Sequence, residues 1–221
     1  MKQTVIAKAQ QNRKVPKSQP SRLWFMSKGY DLIDPTLVFG RIFYIRVKGQ
    51  EVSILDANGR KGCIYVVYRS KKSREKHGKG IPYQFLKFCA NGHTRYVSVA
   101  LLVMATFNHK VPDRSIGEVI DHIDGNTLNN NPNNLRIVTR AINDRDAGFM
   151  RKLRNNGYNV AMFPGIILAG YKRMAQWKAE HTQSQYKQLR GKELLRVFVG
   201  PQFTICDIDP MDLDFKFHRE Y

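Results

Sequence analysis

The chain has 221 residues, 42% of them hydrophobic and 11% aromatic, enough for one medium domain or two small ones and too apolar for a mostly disordered protein. Its longest apolar run, VALLVMATF at 99–107, is far shorter than the roughly 20 residues of a membrane span. Thirty-seven Lys and Arg stand against 18 Asp and Glu, a net charge of +19, and a field of that size attracts polyanions, nucleic acid first among them.

The opening MKQTVIAKAQQNRKV lacks the apolar segment of a secretory signal, so export is not expected. Cys63, Cys89 and Cys206 are far apart with no CxxC pair, which argues against a disulfide framework and a structural zinc site, and for a reducing cytoplasm. Residues 1–28 hold seven bases and no acid and are broken by Pro16 and Pro20, a pattern read as a flexible basic arm. From 29 to 99 the pattern is strand-like: LVFGRIFYIRV (37–47), EVSILD (51–56) and GCIYVVYR (62–69), then a charged loop at 70–80. PYQFLKFCANGHTRYVSV (82–99) reads as a hairpin around Asn91-Gly92. A small antiparallel sheet with basic loops is therefore expected, in which His77 and His93 have phosphate contact or no role at all. VALLVMATFNH (99–109) changes period and predicts a short helix buried on most sides, with a packing role and with His109 at its end.

Residues 118–146, EVIDHIDGNTLNNNPNNLRIVTRAINDRD, predict a strand, a long polar loop, a second strand and a helix capped by Thr139. Asp121 and His122 are adjacent on the first strand and so point to opposite faces, but twist at a strand end can bring both to the rim of one cleft. Asn143 falls in the first turn or so of the helix. A carboxylate and an amide oxygen are hard ligands suited to Mg²⁺, and a neutral imidazole beside them can accept a proton near neutral pH. Metal plus base is what phosphodiester hydrolysis requires.

The residues Asp121-His122-Ile123-Asp124-Gly125-Asn126, then Asn134-Leu135, then Asn143, resemble the HNH (ββα-metal) nucleases, specifically the phage and intron-encoded homing endonucleases. The spacings, twelve residues from His122 to Asn134 and nine more to Asn143, fit that family, and the resemblance covers about residues 96–146. It implies that Asp121 and Asn143 bind one divalent ion, Mg²⁺ with Mn²⁺ as a substitute. It implies further that His122 is the general base and that Asn134 ties down the loop and orients the base. Asparagine at the third motif position is similar to the homing subgroup and departs from the colicin-like one. The partner implied is double-stranded DNA, and the products are 5′-phosphate and 3′-hydroxyl ends. One site per chain makes a nick the natural product, unless two copies meet on opposite strands and cut both; the absence of a heptad or long apolar helix favours a monomer. The rival readings are a DNA- or RNA-binding structural or regulatory protein on a non-catalytic HNH scaffold, and an HNH enzyme serving restriction or viral genome packaging.

Basic residues around the motif are candidates for nucleic-acid contact: Arg136 and Arg140 within it, then Arg151, Lys152 and Arg154 beyond it. Residues 160–200 suggest three strands, near Gly165–Leu168, Ala175–Thr182 and Leu194–Val199. FPGII and MAQWKAEHT resemble, faintly, the small DNA-binding sheet of ethylene-response factors, which makes Arg173, Lys178 and Lys187 contact candidates and Trp177 a core or stacking residue. The helix that follows those strands in that family is not evident. His181 and His218 receive no role. Residues 207–221 hold five acids and two bases, an end that covers a basic surface or binds a partner. The expected organisation is α+β: a basic arm at 1–28, a β-rich region at 29–99, a helix and ββα-metal motif at 100–148, a basic β-rich extension at 149–206 and an acidic tail at 207–221.

Overall fold

The computed structural model describes residues 19–69, 81–158 and 164–200. The expectations for most of the basic arm, the charged loop 70–80, Cys206 and the acidic tail lie outside the described residues. The arm, where described, is anchored rather than free. Ser21 accepts a hydrogen bond from Trp24 N and caps helix α1 (Arg22–Ser27). Phe25 is fully buried and stacks on Tyr44, ring centroids 3.8 Å apart, so residues 21–28 are packed on the first sheet rather than part of a free arm.

The expected β-rich region is present, as two three-stranded antiparallel sheets. Strands β1 (Asp31–Leu32), β2 (Phe43–Lys48) and β3 (Glu51–Asp56) form the first, in sequence order. Residues 37–42 do not extend β2 as expected. Pro35 starts a 3₁₀ turn (Pro35–Val38) capped by Asp34, and Phe39 and Gly40 take positive φ, so extended structure begins only at Phe43. Strands β4 (Cys63–Arg69), β5 (Ile81–Ala90) and β6 (His93–Ser98) form the second sheet. The β5–β6 hairpin turns at Asn91-Gly92 as predicted, with φ of 51° and 73°, the positive values that this two-residue turn demands. The sheets meet at Gly62, where a Cβ would lie 3.0 Å from Leu86 and 3.3 Å from Ile54; glycine is needed for that approach.

Helix α2 (Val99–Phe107) is the predicted packing helix, with Val99, Ala100, Leu102, Val103 and Met104 buried. It joins Ile33, Phe43, Ile45, Ile54, Leu86 and Val97 in one core. Strands β7 (Glu118–His122) and β8 (Leu135–Thr139) pair antiparallel, and helix α3 (Arg140–Asn155) follows directly, Thr139 Oγ1 accepting from Ile142 N. The strand–loop–strand–helix order read from the sequence is thus the one found.

The C-terminal region is a correction. Its described residues are helical: α4 (Pro164–Glu180), α5 (Gln183–Gln188) and α6 (Gly191–Val199). The three strands and the ethylene-response-factor-like sheet expected there do not exist, although the α+β class of the whole stands. Burial shows why. Ile167, Tyr171 and Met174 recur at helical spacing along α4, and Leu194, Leu195, Phe198 and Val199 form one stripe on α6. Thr182 and Gln185 form a reciprocal capping box that starts α5. With Phe149, Met150 and Leu153 of α3 these residues make a second core. The β7–β8 hairpin is wedged between the two cores: Leu135 belongs to the first, with Ile120 and Ile137 packed on it, and Ile123, just past β7, belongs to the second.

Candidate active site

Pairing in β7–β8 sets Asp121 opposite Arg136 and His122 opposite Leu135, so the two pairs face opposite sides of the hairpin. His122 is 6% exposed. Its Nε2 lies 3.1 Å from Asn130 Oδ1, and Asn130 Nδ2 donates to Gln84 Oε1 on β5 at 2.8 Å. With the Asn130 amide oxygen turned to the ring and its nitrogen to Gln84, the arrangement matches an imidazole protonated on Nε2 with Nδ1 as the acceptor. Burial lowers the His122 pKa below its ordinary 6.5, against smaller opposing effects of Asn130, Asp124 and Asp121, so the ring is neutral at pH 7.

Asn134 ties the loop between β7 and β8 into a closed ring of hydrogen bonds. Its Nδ2 donates to Asp124 Oδ1 and to Asn129 O, both at 2.9 Å, and its Oδ1 accepts from Asp124 N at 3.1 Å. Asn129 Nδ2 donates to Asp124 Oδ2. The loop is also fastened to the N-terminal sheets: Thr127 Oγ1 donates to Pro82 O, and Asn131 Nδ2 to Gly49 O. Gly125, at φ 70°, turns beneath Arg154; a Cβ there would lie 2.7 Å from the guanidinium.

Asp121 faces α3. Its Oδ2 accepts from Arg136 Nε and Nη2, and Arg136 Nη2 also donates to Asp146 Oδ2, while Arg145 Nε donates to Asp146 Oδ1. Burial raises the Asp121 pKa, and Arg136 opposes that shift. Asn143 is half-buried on α3, one turn before Asp146, and its only described hydrogen bond is a long one from Nδ2 to Asp144, which leaves its amide oxygen for other partners. Tyr171 of α4 donates its hydroxyl to Ile123 O at 2.8 Å. Burial and the nearby Asp121 push its pKa up, which keeps it a donor.

The other basic candidates divide. Arg151, Lys152, Lys178 and Lys187 line one open groove of about 710 Å³ between α3, α4 and α5, joined by Arg145 and Arg190, with Asp144 the one acid on its wall. Lys152 and Lys178 both lie over the Tyr186 ring, at 4.6 and 5.2 Å. Burial, and then Arg190, lowers the Lys152 pKa. Arg140 is exposed at the start of α3, and Arg154 covers the Gly125 turn. Arg136 and Arg173 are engaged within the protein: Arg136 in the ion pairs above, and Arg173 on Phe198 O at 2.9 and 2.6 Å near the end of α6. Trp177 is half-buried against the second core and stacks on His181, which had no expected role. Sequence reasoning missed Asn130 and Gln84 behind the base, Asp146, and Tyr171. Asn130 stood in the Asn-rich run and Asp146 three residues after Asn143, both detectable by spacing. Gln84 and Tyr171 come from distant elements and carried no local signal.

The hairpin, its tied loop and α3 make a ββα arrangement. Residues 103–145 match the family model described as HNH endonuclease, about a fifth of the chain, and the match supports the HNH assignment. No curated protein and no solved structure matches the chain.

Proposed function

We propose that this chain is a metal-dependent, site-specific HNH DNA endonuclease of the homing kind, nicking as a monomer. The carrying observation is His122: buried, neutral, and backed through Asn130 by Gln84, next to Asp121 in the segment that matches the HNH endonuclease model. Asp121 and Asn143 offer a carboxylate and an amide oxygen, a hard and sparse donor set that suits Mg²⁺ or Mn²⁺, which keep waters and take further oxygens from phosphate. Among the described residues no three His, Cys, Asp or Glu side chains converge as an all-protein cage. A divalent ion held by Asp121 and Asn143 would offset charge on the scissile phosphate and on the departing 3′-oxygen.

His122 Nδ1 takes a proton from a water, the resulting hydroxide attacks phosphorus in line as the P–O3′ bond breaks, and the departing 3′-oxygen takes a proton from solvent water, leaving 5′-phosphate and 3′-hydroxyl ends. Asn130 keeps the ring in the accepting tautomer, and Asn134 holds the loop that carries Asn130. The groove cations hold flanking phosphates, which positions the duplex without reading its sequence. Replacing Lys178 and Lys187 by Gln should then lower the slope of log K against log salt by about 0.9 for each phosphate no longer neutralised. An unchanged slope in a filter-binding salt series would remove the groove from the DNA path.

One observation favours a non-catalytic scaffold instead: Asp121 is already paired with Arg136. Supercoiled-plasmid conversion decides, run in Mg²⁺, Mn²⁺ and EDTA with wild type and His122→Ala. Nicking that needs the ion and falls by about 10²- to 10⁴-fold in the variant is expected for a lost general base. A gel shift without cutting by either protein would establish the scaffold reading.

A further inference from the structure

The cation closest to the candidate metal site is part of the protein. Arg136 Nε and Nη2 donate to Asp121 Oδ2 at 2.8 and 2.6 Å, and Nη2 also donates to Asp146 Oδ2 at 2.7 Å. The side chain is 20% exposed and Asp146 only 2%, so neither contact is a loose surface pair. Three elements build the arrangement. The β7–β8 register sets Arg136 opposite Asp121, α3 brings Asp146, and α4 brings the Tyr171 ring to 5.2 Å beneath the guanidinium. With Arg145 on the second oxygen of Asp146, two carboxylates are balanced by two guanidinium groups.

We propose that Arg136 is a resident counter-ion that competes with the divalent ion for Asp121, and that Asp146 and Tyr171 retain its guanidinium when Asp121 turns to the ion. The inference rests on the nuclease reading, because it takes Asp121 as an ion ligand. Two carboxylates held together away from water repel strongly, so the fold needs a cation between them before any metal arrives. Arg136 supplies it. A divalent ion at Asp121 must then share or displace two hydrogen bonds, which weakens its binding to the free protein. Asp146 and the Tyr171 ring give the displaced guanidinium somewhere to stay. Its freed N–H groups then stand beside the ion's position, and a guanidinium fork suits the phosphate that would bring further oxygen ligands. Arg136 is on this reading a positioning residue for Asp121 that makes tight ion binding depend on DNA.

The experiment is Mn²⁺ binding to the full chain without DNA, followed by the free-ion paramagnetic resonance signal, with thermal unfolding in EDTA and in millimolar Mn²⁺. Arg136→Gln should bind Mn²⁺ at least about tenfold more tightly than wild type, because the site loses its competing charge. Its unfolding midpoint should fall in EDTA and recover with Mn²⁺ by more than the wild-type midpoint rises. Adding Asp121→Asn should abolish the gain and locate the ion. Arg136→Lys keeps the charge without the fork and should fall between wild type and Arg136→Gln, which covers failure of the latter to fold. Wild-type binding that neither variant tightens, with a midpoint loss that Mn²⁺ does not recover, would make Arg136 a structural ion pair and overturn the proposal while leaving the nuclease reading intact. Absence of Mn²⁺ binding in every variant would overturn the ion-dependent nuclease reading and the proposal together.

Discussion

Asn134→Ala should cost about 3 kcal/mol of stability and at least about a hundredfold in DNA cleavage. The side chain is 1% exposed and makes three hydrogen bonds, to Asp124 Oδ1, Asn129 O and Asp124 N. Alanine leaves a buried carbonyl, a partly buried N–H and a carboxylate short of partners, each a loss of about 1–3 kcal/mol, part of which water entering the loop recovers. The loss of rate follows from the loop's contents. Asn130, which sets the His122 tautomer, lies four residues before Asn134, and a displacement of about 1 Å at a base costs on the order of a hundredfold. Asn134→Asp should be no better, because it sets a second carboxylate against Asp124. Urea denaturation of the full chain and plasmid cleavage check both parts. A stability within about 0.5 kcal/mol of wild type would mean that Thr127 and Asn131, fastened to Pro82 O and Gly49 O, hold the loop unaided.

What was legible in the sequence was local. Asn91-Gly92 forces positive φ at two successive positions, so the β5–β6 hairpin could be read without knowing what it packs against. Thr139 before a helical pattern, and an apolar run of nine residues at 99–107, were equally self-contained. The ββα frame around the candidate residues was legible because a strand, a turn-rich loop and a helix start constrain one another over a short stretch. Two kinds of feature were not. In residues 164–200 the apolar positions of α4 are separated by Gly, Ala, Lys and Gln, so short apolar pieces imitated strands while the helical period showed only across the whole segment. The partners of site residues were the second kind. Arg136 was read as a contact for DNA because its charge is visible in the sequence. Its engagement with Asp121 depends on β7–β8 register, and with Asp146 on how α3 docks.

The C-terminal helices are fixed to the site, and Gly170→Ala should show it. A Cβ at Gly170 of α4 would lie 2.5–2.7 Å from three ring atoms of Phe198 on α6, a side chain with no exposed surface. The ring cannot yield as the end of a long chain would, because Tyr171 packs edge-on against it at 6.1 Å. Overpacking of this kind costs about 1–3 kcal/mol, offset by up to about 1 kcal/mol from the better helix propensity of alanine, so a net loss of about 1–2 kcal/mol is expected. Phe198→Leu makes room, and the double variant should be more stable than the sum of the two singles by about 1 kcal/mol or more. Additive losses in denaturant titrations would mean that α4 and α6 separate without meeting at this point. The effect should also reach cleavage. Residue 171 follows the substituted glycine, and its hydroxyl holds Ile123 O, immediately after His122, while its ring backs Arg136. Gly170→Ala should therefore lower cleavage more than it lowers affinity for DNA, and Phe198→Leu should restore part of the rate. A helical unit that only lengthened the DNA footprint would lose affinity first. The Tyr171 contacts make this one a wall of the candidate catalytic site.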